Sequence, residues 1–153
     1  MEMDVVRTGW KINVFLRITG IRDDGYHELH SLFMPLPEPW DELKLRPAAS
    51  GKKGLTVVCR TEGIDPAHNT LTKAYDLYAR ATRFAPPLEA ELIKGIPHGA
   101  GLGGGSADAG LLLNWLDNRA PSPLGWEGLI PLAARVGADV PFFIDPRPMV
   151  ALG

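Results

Sequence analysis

The chain has 153 residues, 45% hydrophobic and 22% charged, with a formal net charge of −2. Such length and apolar content describe one globular domain whose core needs no covalent staple, and they exclude a disordered chain. The charge offers no basic field for nucleic acid, the single Cys59 permits no internal disulfide or cysteine-held metal, and no apolar run approaches the ~20 residues that span a bilayer. With no basic region ahead of an apolar stretch at the N-terminus, the expected location is the cytoplasm, away from membranes.

Residues 10–20 (WKINVFLRITG) alternate, with Trp10, Ile12, Val14, Leu16 and Ile18 on one side and Lys11, Asn13, Phe15 and Arg17 on the other. This period of two predicts a strand with one buried face. Asp24-Gly25 is a turn pair, and residues 26–36 (YHELHSLFMPL) read as the returning strand of a hairpin. Three prolines between Pro35 and Pro39 predict a connection. Residues 41–47 and 54–63 are expected strands.

Leu71, Ala74, Tyr75, Leu77 and Tyr78 recur at helical spacing, with Asn69 or Thr70 as N-cap and Pro86-Pro87 as the stop. Residues 88–97 predict a short strand leading into a glycine-rich loop. Ser106 is the expected cap of a helix over 107–118, with Leu111, Leu112, Trp115 and Leu116 facing inward. A further helix is expected over 126–136, closed by Gly137, with Asp139 directly after it. Residues 140–153 stop in strand or turn with no polar tail, so a longer parent chain is expected. The order of elements predicts an α+β fold.

Residues 96–115 (IPHGAGLGGGSADAGLLLNW) pose the functional question. The loop holds Gly99, Gly101, Gly103, Gly104 and Gly105, and each glycine costs ~0.5–1 kcal/mol of conformational entropy relative to alanine, more than a plain turn needs. A nucleotide P-loop is excluded because no lysine follows a glycine here. Gly99, Gly101 and Gly104 satisfy a dinucleotide G-x-G-x-x-G, but the acidic residue that pattern wants ~20 residues on is missing. The remaining reading is a strand–loop–helix whose backbone N–H groups and helix N-terminus hold a polyphosphate, with the Ser106 hydroxyl available to a phosphate or to magnesium.

The segment IPHGAGLGGGSADA resembles the phosphate loop of the GHMP kinases. KINVFLRITGIRDDGYHELHSLF, HNTLTKAYDLY and GADVPFF, in the same order, are similar to segments of the branch of that family that acts on diphosphocytidyl-methylerythritol. The resemblance implies the GHMP N-terminal fold (ribosomal protein S5 domain 2-like), a twisted, mainly antiparallel sheet backed by helices. It implies one ATP-binding domain over 1–153, with the family's C-terminal domain absent from this chain. The implied activity is ATP- and Mg2+-dependent phosphorylation of the 2-hydroxyl of 4-diphosphocytidyl-2-C-methyl-D-erythritol, a step toward isoprenoids. Another GHMP small-molecule kinase, or a nucleotide-binding module without turnover, stays open as an alternative.

By the same resemblance, Lys11 and Asp139 are the catalytic pair, and both also contact substrate, together with Asn13. Tyr26 stacks on the cytosine and His27 hydrogen-bonds its edge. ATP is held by Pro97, His98, Gly99, Ala100, Gly101, Leu102, Gly103, Gly104, Gly105, Ser106 and Ala107. Asn69 and Lys94 match positions lining the adenine pocket, with Lys73 a weaker match. Gly9-Trp10 stands where the family carries Pro-Ala, and Ala107 where a second serine is common.

Overall fold

A computed structural model describes residues 2–21, 23, 25 and 27–152, with the backbone alone for His27. Asp24 of the expected turn, Tyr26 and the His27 side chain lie outside the described residues. The elements are β1 (Asp4–Ile21), β2 (His27–Pro47), β3 (Leu55–Cys59), α1 (Thr70–Thr82), β4 (Leu88–Ile93), α2 (Gly104–Asp117), α3 (Gly125–Val136), a 3-10 turn (Val140–Ile144) and β5 (Met149–Leu152). The sheet runs β1-β2-β4-β3, with β5 also beside β2. Only β3 and β4 pair in parallel; the other pairs are antiparallel. The fold is therefore the expected α+β arrangement.

β2 organises the sheet. One of its edges carries β1, while the other takes β4 along residues 42–47 and β5 along residues 30–33. The helices close over Leu43, Leu45, Ala90 and Leu92, which meet Tyr75 and Tyr78 of α1 and Leu112, Leu113 and Leu116 of α2 in one buried cluster. Each large apolar side chain so buried contributes ~1.5–3 kcal/mol. No helix among the described residues is long and apolar enough to cross a membrane.

Asn69 caps α1, accepting from Leu71 N–H at 2.9 Å and Thr72 N–H at 3.1 Å. Gly137 closes α3, with its N–H on Ala133 O. Leu112, Trp115 and Leu116 face the core as expected, whereas Leu111 is only half-buried and Leu113 takes an inner position.

Three expectations are corrected. The proline stretch is no connection, because β2 continues through it. Pro37 and Pro39 have no N–H to pair, so the register with β1 slips between Thr8↔Asp41 and Trp10↔Leu36 and the strand bulges instead of ending. Trp10 is half-buried there and donates its indole N–H to Glu38 O at 2.8 Å.

The apolar side of β1 is not a buried face. Val14, Leu16 and Ile18 are more than half exposed, and the residue that is buried is Lys11. A register shift between Asn13 and Leu16 interrupts the alternation. Finally, α2 starts at Gly104. Its N-cap is Gly103 in the left-handed region (φ 75°), so Ser106 lies in the first helical turn and is not the cap.

Candidate active site

The glycine loop joins β4 to α2. Gly99, Gly101 and Gly103 adopt φ of 75°, 73° and 75°, a region open to glycine at no steric cost. The first intrahelical bond of α2 runs from Ala107 N–H to Gly103 O at 2.8 Å. The N–H groups of Gly104, Gly105 and Ser106 therefore have no helical partner, and the helix dipole adds roughly half a positive charge at that end. A turn of this kind is suited to an anion.

The loop presses directly on Lys11. The Lys11 backbone N–H donates to Leu102 O at 2.9 Å. A Cβ on Gly103 would stand 3.2 Å from Lys11 Cγ and 3.0 Å from the Phe143 ring, so a methyl there would be tight and its neighbours would have to give by a few tenths of an ångström.

Beside the loop, the Lys11 ammonium donates to Asn13 Oδ1 at 2.6 Å and lies 3.2 Å from Asp139 Oδ2. It also sits 4.7 Å over the Phe33 ring, which stabilises a desolvated cation. Asn13 donates from Nδ2 to Ser31 Oγ at 2.9 Å, and the Ser31 hydroxyl donates to Phe15 O at 2.7 Å. That chain orients Asn13 with its oxygen toward Lys11.

Asp139 follows α3 and opens the 3-10 turn, with its carbonyl accepting from Phe142 N–H at 3.2 Å. Phe142 packs edge-on against Phe33 and Phe143, which anchors the turn that carries the carboxylate. The carboxylate is one-third exposed, while Lys11 is almost wholly enclosed. An ammonium and a reachable carboxylate thus face the mouth of the loop, an arrangement able to take a proton and offset phosphoryl charge.

A cavity of about 210 Å³ lies on the other side of the loop, where Asn69, Lys94, His98 and Gly105 meet Ile64, Leu71 and Leu92. Four of the expected nucleotide residues therefore share one recess. Two of them have their polar atoms engaged already. Asn69 uses its oxygen as the α1 cap and donates from Nδ2 to Asp65 O and Pro66 O, each at 2.9 Å.

Lys94 is ion-paired with Asp41 and, at 2.9 Å, with Asp108, all three side chains being buried. Burial alone would lower the Lys94 pKa, but the Asp108 and Asp41 carboxylates raise it above the usual value. Asp108 is pushed up to about 7 by burial and by Asp41, against the pull of Lys94.

Two placements differ from expectation. Ala107 has its N–H bonded to Gly103 O and its methyl buried with Phe33, Phe142 and Phe143. Lys73 stands apart from the Lys94 recess, with its ammonium on Val136 O at 2.8 Å. Sequence reading missed Ser31, Asp41 and Asp108. Ser31 sits in a predicted strand and Asp41 beside the prolines, and neither carries a local signal. Asp108, a charge inside an apolar helix, is the one that could have been noticed.

A family model described as the GHMP kinases N terminal domain matches residues 69–145. The 4-diphosphocytidyl-2-C-methyl-D-erythritol kinase of Nitratidesulfovibrio vulgaris is 58% identical over 97% of this chain and 51% of its own length. That of Lawsonia intracellularis is 47% identical over 97% and 48%. The chain thus spans about half the length of the curated relatives it matches. A crystal structure of 4-(cytidine 5'-diphospho)-2C-methyl-D-erythritol kinase superposes with a TM-score of 0.80 at 37% identity, over 98% of this chain and 52% of the other. Homoserine kinase from Cytophaga hutchinsonii, at 21% identity and a TM-score of 0.56 over 87% and 41%, shares the fold.

Proposed function

This chain belongs to the GHMP kinase family, as its N-terminal domain, and from that premise we propose that it binds ATP and passes the γ-phosphoryl to the 2-hydroxyl of 4-diphosphocytidyl-2-C-methyl-D-erythritol. The observation that carries the reading is the Lys11–Asp139 pair, 3.2 Å apart, with Lys11 bonded through its backbone to the glycine loop. The 58% identity to a kinase of that name supports the choice of substrate.

The polyphosphate lies against the free N–H groups of Gly104, Gly105 and Ser106, and the adenosine enters the recess beside Lys94 and His98. Asp139 accepts the proton of the 2-hydroxyl as its oxygen bonds to the γ-phosphorus. The bridging oxygen leaves with ADP. The transition state is loose and anionic, so positioning and charge stabilisation carry most of the catalysis. Lys11 supplies the charge that offsets that on the moving phosphoryl. Asn13 fixes the direction of the ammonium. By the resemblance of their segment, Tyr26 and His27 are assigned to the cytosine, Tyr26 by stacking and His27 at the ring edge.

Magnesium, when bound, would draw charge from the phosphate oxygens. The Ser106 hydroxyl, in the first turn of α2, is the group assigned to it beside the phosphates. The unpaired Cys59 is compatible with work in the cytoplasm.

The test replaces Lys11→Ala or Asp139→Asn in the kinase extended to its relatives' length. Turnover is expected to fall at least ~100-fold, the size typical of groups that stabilise transition-state charge. A near-normal kcat in either variant refutes the assignment. A second reading is a nucleotide-binding module without turnover. ATP binding without product formation by the 153-residue chain would select it.

A further inference from the structure

Both ends of the glycine loop are tied to one buried ion cluster. At the entry, Asp41 Oδ1 accepts the backbone N–H groups of Gly95 (2.8 Å) and Ile96 (2.9 Å), and the preceding Lys94 places its ammonium on Asp41 Oδ2. At the exit, the same ammonium donates to Asp108 Oδ2 of α2 at 2.9 Å. Gly104, the first residue of that helix, lies directly over the cluster. A Cβ there would stand 3.1 Å from Lys94 Nζ and 3.3 Å from Asp41 Oδ2.

The side chains of Lys94, Asp41 and Asp108 are 5%, 0% and 2% exposed, with Lys94 and Asp108 forming part of the wall of the 210 Å³ recess. Among the described residues Asp108 Oδ1 has no hydrogen-bond partner. An orphaned buried oxygen is destabilising, and apolar side chains of similar volume often stabilise such a site as well as ions do. Stability alone therefore gives no reason for this cluster, whereas the geometry it imposes does.

We propose that Asp41 and Asp108, acting through Lys94, are positioning residues of the phosphate loop: they set the separation between the end of β4 and the start of α2. In doing so they hold the left-handed glycines and the free N–H groups of the first helical turn in the arrangement that accepts a polyphosphate. The inference rests on the nucleotide reading above.

Three variants of this chain test it. Asp108→Ala cuts the tie to α2 and leaves the Asp41–Lys94 pair neutral. Asp108→Leu does the same while filling the space, which guards against a variant that fails to fold. Asp108→Asn keeps a carbonyl oxygen for Lys94. ATP affinity is read by calorimetry, and amide exchange of residues 99–105 is compared with that of the core helices. With Asp108→Ala and Asp108→Leu, the ATP Kd and the loop exchange rate should both rise at least ~10-fold, in keeping with the steep penalty for small misplacements. Asp108→Asn should restore both to within ~3-fold of wild type, because the anchoring hydrogen bond survives.

If all three variants behave alike, or if loop exchange rises only in step with the core, the proposal is overturned. If the unaltered chain binds no ATP, the nucleotide reading falls instead, and loop exchange alone decides whether the cluster positions the loop.

Discussion

Lys11 sits at 5% exposure, and the reason is local. Its charge is met by Asn13, Asp139 and the face of Phe33, so burial does not leave it unpaired. Asn13 should matter through orientation. Ser31→Ala removes the hydroxyl that holds it and should lower turnover more than ATP affinity, a split that steady-state kinetics with varied ATP would reveal. Asn69 is a different case, since its side-chain oxygen caps α1. Asn69→Ala should therefore cost ~1 kcal/mol in denaturant unfolding, the usual loss for an N-cap. CDP should compete with substrate and Tyr26→Ala should abolish that competition; unchanged competition removes Tyr26 from the site. Lys11, Asn13 and Asp139 were legible through the family resemblance of the segments that carry them. Ser31 and Asp41 were not, because their partners come from other strands.

Among the elements, the junction of loop and helix is tightly constrained. Gly103 combines φ of 75° with the Phe143 ring and the Lys11 stem at its back. Gly103→Ala should lose ~1–2 kcal/mol from the left-handed backbone alone, and should weaken ATP binding by pushing Lys11 aside, as calorimetry and unfolding curves on the same sample would show. The ends of α2 and α3 are joined by Asp117, which accepts the Tyr78 hydroxyl and Leu124 N–H at 2.7 Å each and Gly125 N–H at 3.0 Å. The hydrophobic spacing located α1, α2 and α3 well, because helical period depends on neighbours within one turn. It failed at the start of α2, where glycines replace the usual side-chain cap and the backbone conformation decides. It failed also at β2, where prolines that break a hydrogen-bond ladder were read as breaking the strand.

Across the whole molecule one buried cluster joins the sheet to α1, α2 and α3. Leu112→Ala, at its centre, should lower the unfolding free energy by ~2–5 kcal/mol in a single transition seen alike by circular dichroism and tryptophan fluorescence. Two separate transitions would show that the sheet and helices do not form one cooperative unit. The amino-acid sequence by itself determined the α+β class, the helix positions, the glycine loop and the identity of the polar residues in apolar runs, since all of these are written in short-range spacing and residue chemistry. Which face of β1 is buried, the continuity of β2, the meeting of Lys11 with Asp139 and the Asp41–Lys94–Asp108 cluster were decided only by tertiary structure. They depend on strand register and on groups brought together from distant parts of the chain, and spacing along one segment carries no record of what will pack against it.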